Sequence, residues 1–280
     1  MLVFNRPAEL SAHLHGGKGG TIGFVPTMGA LHDGHLSLLR ASMANNRRTV
    51  ISIFVNPTQF NNADDLAHYP RTLESDLEKI GNLNPDIIVF APDVDDMYGD
   101  AATAEHYRFG GIENEMEGRF RKGHFNGVAT IVKRLFEIVK PTRAYFGEKD
   151  FQQLQIVRSL VEKHGIPVEI VGCPIYREPN GLAMSSRNER LTADQRHHAA
   201  VIYQALQSAR ELFPTRSAQK IRLQVEQMLH AIPGFTLEYF EVADEKTLRP
   251  VKRKSKKKKY RAFIAVLVNK IRLIDTIALN

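Results

Sequence analysis

The spacing of apolar and polar positions changes about two thirds of the way along this 280-residue chain. Residues 21–25 form a short β-rich run that ends at Pro26, and a turn containing glycine and histidine leads into a helical pattern over 34–45. Residues 49–55 and 86–90 are nearly unbroken apolar runs, as in strands buried on both faces. Val128, Ile131, Val132, Leu135, Phe136 and Val139 recur at helical spacing, and Pro141 stops that helix. A strand over 143–146, a helix over 150–164 and a strand over 168–171 follow. Strands alternating with helices predict a parallel sheet covered on both faces. Beyond it the order is different: one long helix over 192–213 capped by Thr192, a second over 217–230 capped by Ser217, then strands over 237–242, 262–268 and 273–278. That block predicts a smaller α+β domain, with the boundary near residues 173–178.

Composition changes this picture little. Hydrophobic residues make up 43% and charged residues 25%, ordinary values for a globular chain with a sizeable core. No apolar run approaches the about eighteen residues of a membrane span. The first ten residues lack a basic start followed by an apolar segment, and the single cysteine, Cys173, excludes an intrachain disulfide. These features favour the cytoplasm and no membrane partner. Net charge is more informative once located. The chain carries +7, yet eight basic residues and no acidic one lie within 252–261; without those eight the remainder stands at −1. Nucleic acid is therefore not an expected partner of the whole surface. The Lys-rich segment 252–259 is expected to be a solvated loop, with an RNA-binding module as the alternative reading.

The chemistry is concentrated in Met28-Gly29-Ala30-Leu31-His32-Asp33-Gly34-His35, between a buried strand and a helix. A helix N-terminus offers unpaired N–H groups and partial positive charge, which suit a phosphate. Gly29 and Gly34 would let the backbone approach a nucleotide, and a helical turn would put His32 and His35 on one face. A phosphate charge at ~4 Å favours a cationic imidazole by about 4 kcal/mol at an effective dielectric of 20. The helix terminus opposes this by about 0.3–1 kcal/mol, up to ~2 if partly buried, so a bound triphosphate should make both rings more cationic. Gln59 lies at the end of the second strand, where ligands of open α/β sheets collect. Gly147-Glu148-Lys149-Asp150 ends a later strand, with Gln153 a turn further on, and Met184-Ser185-Ser186-Arg187 joins the two domains.

PTMGALHDGH, SIFVNPTQF, YPRTLESDL, GHFNGV, YFGEKDFQQL and GLAMSSRN occur in this order. Together they resemble the pantothenate synthetase family of ATP-dependent pantoate–β-alanine ligases. That family belongs to the nucleotidylyltransferase group, which shares a His-x-Gly-His signature with class I aminoacyl-tRNA synthetases. The resemblance implies a Rossmann-like ATP- and pantoate-binding domain over 1–175 and a smaller α+β lid domain over 176–280. It implies condensation of pantoate with β-alanine through a pantoyl-adenylate, with ATP and Mg2+ and a homodimeric assembly. It assigns ATP contacts to residues 28–35, to Gly147, Glu148, Lys149 and Asp150, to Tyr176, and to Met184, Ser185, Ser186 and Arg187. His35, His32, Lys149 and Arg187 become the catalytic set, and Gln59, Gln153 and Arg121 the substrate set; no metal ligand is assigned. Three positions depart from the family pattern. Pro179-Asn180 stand where it has Ala-Asp, and Lys122 stands where it often has proline. Another nucleotidyltransferase of the same fold is the nearest competing function.

Overall fold

The computed structural model describes residues 1–17, 19–251 and 253–280. In chain order the first part comprises β1 (Leu2–Phe4), α1 (Pro7–His15), β2 (Ile22–Thr27), α2 (Asp33–Asn45), β3 (Arg48–Ile53), α3 (Ala63–Ala67), α4 (Leu73–Leu83), β4 (Ile88–Phe90) and α5 (Val94–Tyr98). There follow α6 (Met116–Phe120), α7 (His124–Val139), β5 (Arg143–Gly147), α8 (Phe151–His164) and β6 (Glu169–Cys173). The last part is α9 (Ala193–His198), α10 (Ala200–Leu212), α11 (Ala218–His230), β7 (Phe235–Asp244), β8 (Tyr260–Val268) and β9 (Ile271–Ala278).

Two compact units result. The first comprises Met1–Glu113, Glu117–Gly147 and Gln153–Cys173; the second comprises Asn114–Met116, Glu148–Gln152 and Pro174–Asn280. The first unit holds a six-stranded sheet in the order β1-β4-β3-β2-β5-β6, with every pair parallel. Val25, Ile51 and Val89 from three adjacent strands pack with Leu39 of α2 and Ile80 of α4. Strand order reverses at β2, so the loops that leave β2 and β3 lie at the carboxyl edge where such sheets bind ligands. The second unit packs α10 and α11 on an antiparallel β7-β8-β9 sheet through Ile202, Leu206, Ile221, Leu229, Phe240, Ile264 and Val266.

Two expectations need correcting. Pro26 does not end β2. Pairing with β5 is confined to Gly23 and Phe24, so Pro26 lies past it and pairs with β3 alone, at Ser52. A missing N–H there removes no bond to β5. The long helix expected over 192–213 is two helices. At Ala199 (φ −63°, ψ −13°) the carbonyl accepts from the Ile202 N–H, a tightened turn that separates α9 from α10. The Thr192 cap stands: its hydroxyl accepts from the Gln195 N–H at 3.2 Å.

The basic segment connects β7 to β8. Lys252 lies outside the described residues. Lys254 reaches the carbonyls of Phe213 and Arg216 and sits 4.2 Å from the Phe213 ring centroid. Its burial lowers its pKa below the usual lysine value. Lys258 pairs with Asp244 at 3.1 Å. Arg253, Lys256, Lys257 and Lys259 are exposed.

The second unit also contains a buried ion pair. Arg177 donates to both oxygens of Asp275, at 2.6 and 3.0 Å, and lies 3.7 Å from the centroid of the Tyr203 ring. Removing one partner leaves a carboxylate at 4% exposure without its counter-charge. Arg177→Met is expected to cost about 3–5 kcal/mol of stability, measured by denaturant unfolding; a loss under about 1 kcal/mol would mean the pair is not the constraint described.

Candidate active site

The loop after β2 is built around a left-handed turn. Thr27 Oγ1 donates to the Ser52 carbonyl (2.7 Å) and accepts from the Gly29 N–H (3.2 Å). Gly29 and Ala30 then take φ +81° and +49°. A Cβ at residue 29 would be strained and would lie 3.0 Å from Ile53 Cγ2 and 3.1 Å from Asp76 Oδ2. Internal packing therefore accounts for Gly29. Alanine in this conformation costs about 1–2 kcal/mol, so the surroundings must hold it there. Successive N–H groups in such a turn form a concave anion site. Here that site is filled by the protein's own carboxylate: Asp76, on α4, accepts from the Ala30 N–H at 2.9 Å and the Leu31 N–H at 2.7 Å. Those donors are not left for a phosphate. What remains is the His32 and His35 side chains and the first turn of α2, where Asp33 and Gly34 have no intrahelical N–H partner.

His32 lies outside the helix, contrary to the spacing argument. It is the extended N-cap (φ −136°, ψ 173°), and α2 starts at Asp33. The rings meet all the same, stacked with centroids 4.0 Å apart and planes at 27°. His35 Nδ1 accepts weakly from the His32 N–H at 3.4 Å, so the neutral ring carries its proton on Nε2. Two imidazolium rings ~4 Å apart would repel by about 4 kcal/mol at an effective dielectric of 20, as much as one phosphate charge at that distance supplies.

Gln59 sits at the end of a 3-10 turn, Pro57–Gln59. Asn56 organises it: its carbonyl oxygen accepts from the Tyr98 hydroxyl (2.6 Å), and its amide donates to Gln59 Oε1 (3.3 Å) and the Gly127 carbonyl (3.2 Å). Burial raises the Tyr98 pKa above its ordinary value, so the hydroxyl remains a donor. Gln59 Nε2 lies 2.6 Å from Met28 Sδ, linking the β3 and β2 loops. His124 Nδ1 is 2.8 Å from the Gln59 carbonyl, which can only accept; Nε2 is then the acceptor for Arg121 Nη1 at 3.3 Å. Met28 thus meets Gln59 directly, Asn56 holds the Gln59 side chain, and His124 links the Gln59 backbone to Arg121. Neither connecting residue stands out by type or spacing, although both lie in motifs that carry the resemblance. Gln153, half-buried in the first turn of α8, makes no side-chain hydrogen bond among the described residues. Lys122 leaves the turn before α7 closed: Gly123 takes φ +81°, and the His124 N–H donates to the Arg121 carbonyl at 3.1 Å.

The second unit carries the other cations. Gly147 ends β5, and Glu148–Asp150 form a 3-10 turn. Lys149 Nζ is 3.6 Å from Asp150 Oδ2. Arg261, buried on β8, holds Glu148 at 3.2 Å and Glu245 at 2.9 Å and lies 4.0 Å from the Phe151 ring centroid. Exposed Tyr176 accepts the Met184 N–H on its carbonyl at 3.0 Å. The Ser185 hydroxyl caps the turn Ser186–Arg190 by accepting from the Arg187 N–H at 3.2 Å. Asn188 anchors that turn on Glu178 (2.8 Å), which Arg196 in turn grips at 2.8 and 3.0 Å. The Pro179-Asn180-Gly181 variation does form a turn, with Asn180 Oδ1 accepting from the Leu182 N–H at 3.0 Å. Among the described residues, no three His, Cys, Asp or Glu side chains converge to cage a metal ion.

A parallel sheet with polar loops at its carboxyl edge, and a histidine pair where the helix after β2 begins, defines an α/β enzyme of the nucleotide-handling class. The chain belongs to the pantoate-beta-alanine ligase family, which it matches over residues 2–278. The pantothenate synthetase of Flavobacterium psychrophilum is 58% identical over 282 residues, covering all of both chains. That of Bacteroides fragilis is 48% identical, covering 96% of this chain and 94% of its own. The crystal structure of pantothenate synthetase from Thermus thermophilus superposes with a TM-score of 0.92 at 40% identity, covering 100% of this chain and 99% of that one. Pantoate-beta-alanine ligase from Francisella tularensis, complexed with beta-gamma ATP and beta-alanine, gives 0.81 at 33% identity, covering 100% and 98%.

Gly127 brings α7 directly against the Gln59 turn. A Cβ there would lie 2.2 Å from the Thr58 carbonyl oxygen and 2.6 Å from the Gln59 N. Gly127→Ala should therefore displace the turn and cost about 1–3 kcal/mol, read from thermal unfolding. Unchanged stability would contradict the close approach.

Proposed function

We propose that this chain is an AMP-forming pantoate–β-alanine ligase in which the β2 loop and the start of α2 serve the adenylation step. In that step a pantoate carboxylate oxygen forms a bond to the α-phosphorus of ATP. The bond from that phosphorus to the bridging oxygen breaks, and pyrophosphate leaves with the electron pair. The β-alanine amine then bonds to the carbonyl carbon of the adenylate and gives up a proton, and the C–O bond to AMP breaks. Neither step needs a covalent enzyme intermediate. Both need positioning and stabilisation of developing phosphate charge. The histidine geometry carries this reading: with Nδ1 of His35 accepting from the backbone, Nε2–H is the ring's donor for a phosphate oxygen.

The remaining roles follow from charge and hydrogen-bonding capacity. ATP contacts fall to residues 28–35, to Gly147 through Asp150, to Tyr176 and to Met184 through Arg187. Lys149 and Arg187 supply positive charge for the phosphates. Gln59 and Gln153 can both donate and accept, which suits a hydroxy acid; Gln59 also serves β-alanine, and Arg121 lies on the substrate side. Magnesium would arrive with ATP, because Mg2+ binds chiefly through substrate phosphates and water. Its part is to neutralise phosphate charge. The working form is a homodimer of the cytoplasm, expected at twice the chain mass in light scattering. Among the described residues, no helix is long and apolar enough to cross a membrane.

One assay decides the reaction: ATP, pantoate and β-alanine should give pantothenate, AMP and pyrophosphate, and product formed without pantoate would overturn the reading. His35→Ala should lower the rate of pyrophosphate release by about 10²–10³, the effect of removing one preorganised donor. A near-normal rate in that variant would remove the role given to His35.

A further inference from the structure

Asp76 has no part in the mechanism above, yet it is fully buried and spends both carboxylate oxygens on consecutive N–H groups of the β2 loop. It lies 45 and 46 residues from the two donors, so the contact is tertiary. The segment it holds is conformationally unfavourable, with Gly29 and Ala30 both at positive φ, and His32 follows immediately. The same helix grips the loop a second time: Lys79 Nζ donates to the Leu31 carbonyl at 2.7 Å. Three backbone polar groups of Ala30 and Leu31, two N–H and one C=O, are thus tied to α4 just before the His32–His35 pair.

We infer that Asp76, assisted by Lys79, is a positioning residue for adenylation: it holds the Gly29–Leu31 turn so that His32 and His35 meet the α-phosphate in register. The inference rests on the reading of this chain as an adenylate-forming ligase. An internal carboxylate suits the task better than a ligand would. It is present in every state of the cycle, so the turn is formed before ATP arrives and does not reorganise when charge develops. A small displacement of reacting groups can cost two orders of magnitude in rate. Asparagine at this position keeps the size but can accept through only one atom, and its NH2 would face the second N–H.

The test compares rapid-quench pyrophosphate release, with ATP and pantoate saturating, in the wild type, Asp76→Asn, Lys79→Met and Ser42→Ala. Ser42 is a buried stability control that bonds to Thr49 at 2.8 Å and touches neither the loop nor α4 in any hydrogen bond described above. Wild-type release establishes the underlying reading; its absence would remove that reading rather than the role of Asp76. Asp76→Asn should slow release at least tenfold, and exposed Lys79→Met about threefold, with KM for pantoate changed less than twofold. Ser42→Ala should be slowed less than twofold at a temperature where all are folded. If Asp76→Asn does not fold, Lys79→Met decides. Wild-type release by Asp76→Asn, or by Lys79→Met in that event, overturns the inference, as does an equal slowing in Ser42→Ala.

Discussion

A single buried carboxylate determines how this fold can handle phosphate. The loop after β2 forms the kind of left-handed turn that gathers backbone N–H groups around an anion, and Asp76 is that anion. Gly29 fits because of Ile53 and Asp76, and Ala30 tolerates its conformation because the turn is bonded from outside. With the nest filled, the burden of meeting a nucleotide passes to side chains and to the first turn of α2. The two imidazoles stack with centroids 4.0 Å apart where that helix begins.

Within each unit the structure repeats one device: polar side chains engaged with each other hold the residues proposed to meet the ligands. Asn56 orients Gln59, His124 connects the Gln59 backbone to Arg121, and Gly127 lets α7 approach closely enough for both contacts. In the second unit, Arg261 secures Glu148 beside Lys149, and Glu178 with Asn188 secures the turn that carries Ser185 to Arg187. Buried hydrogen-bond networks of this type give rigidity. The Lys-rich connection between β7 and β8 has a different character: Lys254 and Lys258 fold back onto the unit, and the exposed remainder needs no part in catalysis.

Much of this was legible in the sequence, for physical reasons. Buried strands such as β3 and β8 carry long apolar runs, and α7 and α11 show their helical period. β1, only three residues long, is too short to show any period, and a single tightened turn at Ala199 leaves the helical pattern on both sides intact. The extension of β2 through Pro26 depends on where β5 stops pairing, which is a tertiary fact. The site divides in the same way. His32, His35, Gln59 and Lys149 announce themselves by residue type at the ends of predicted strands. Asp76, Asn56 and His124 also make contacts 42 to 71 residues away; they lie in motifs that carry the resemblance, but neither their type nor their spacing announces those contacts.

The most direct test is a crystal structure of the complex with a non-hydrolysable ATP analogue. The account predicts that the Ala30 and Leu31 N–H groups remain on the Asp76 carboxylate, with phosphate oxygens met by the His32 and His35 side chains and the first turn of α2. A phosphate bound directly by the Ala30 and Leu31 N–H groups, with Asp76 displaced, would contradict it.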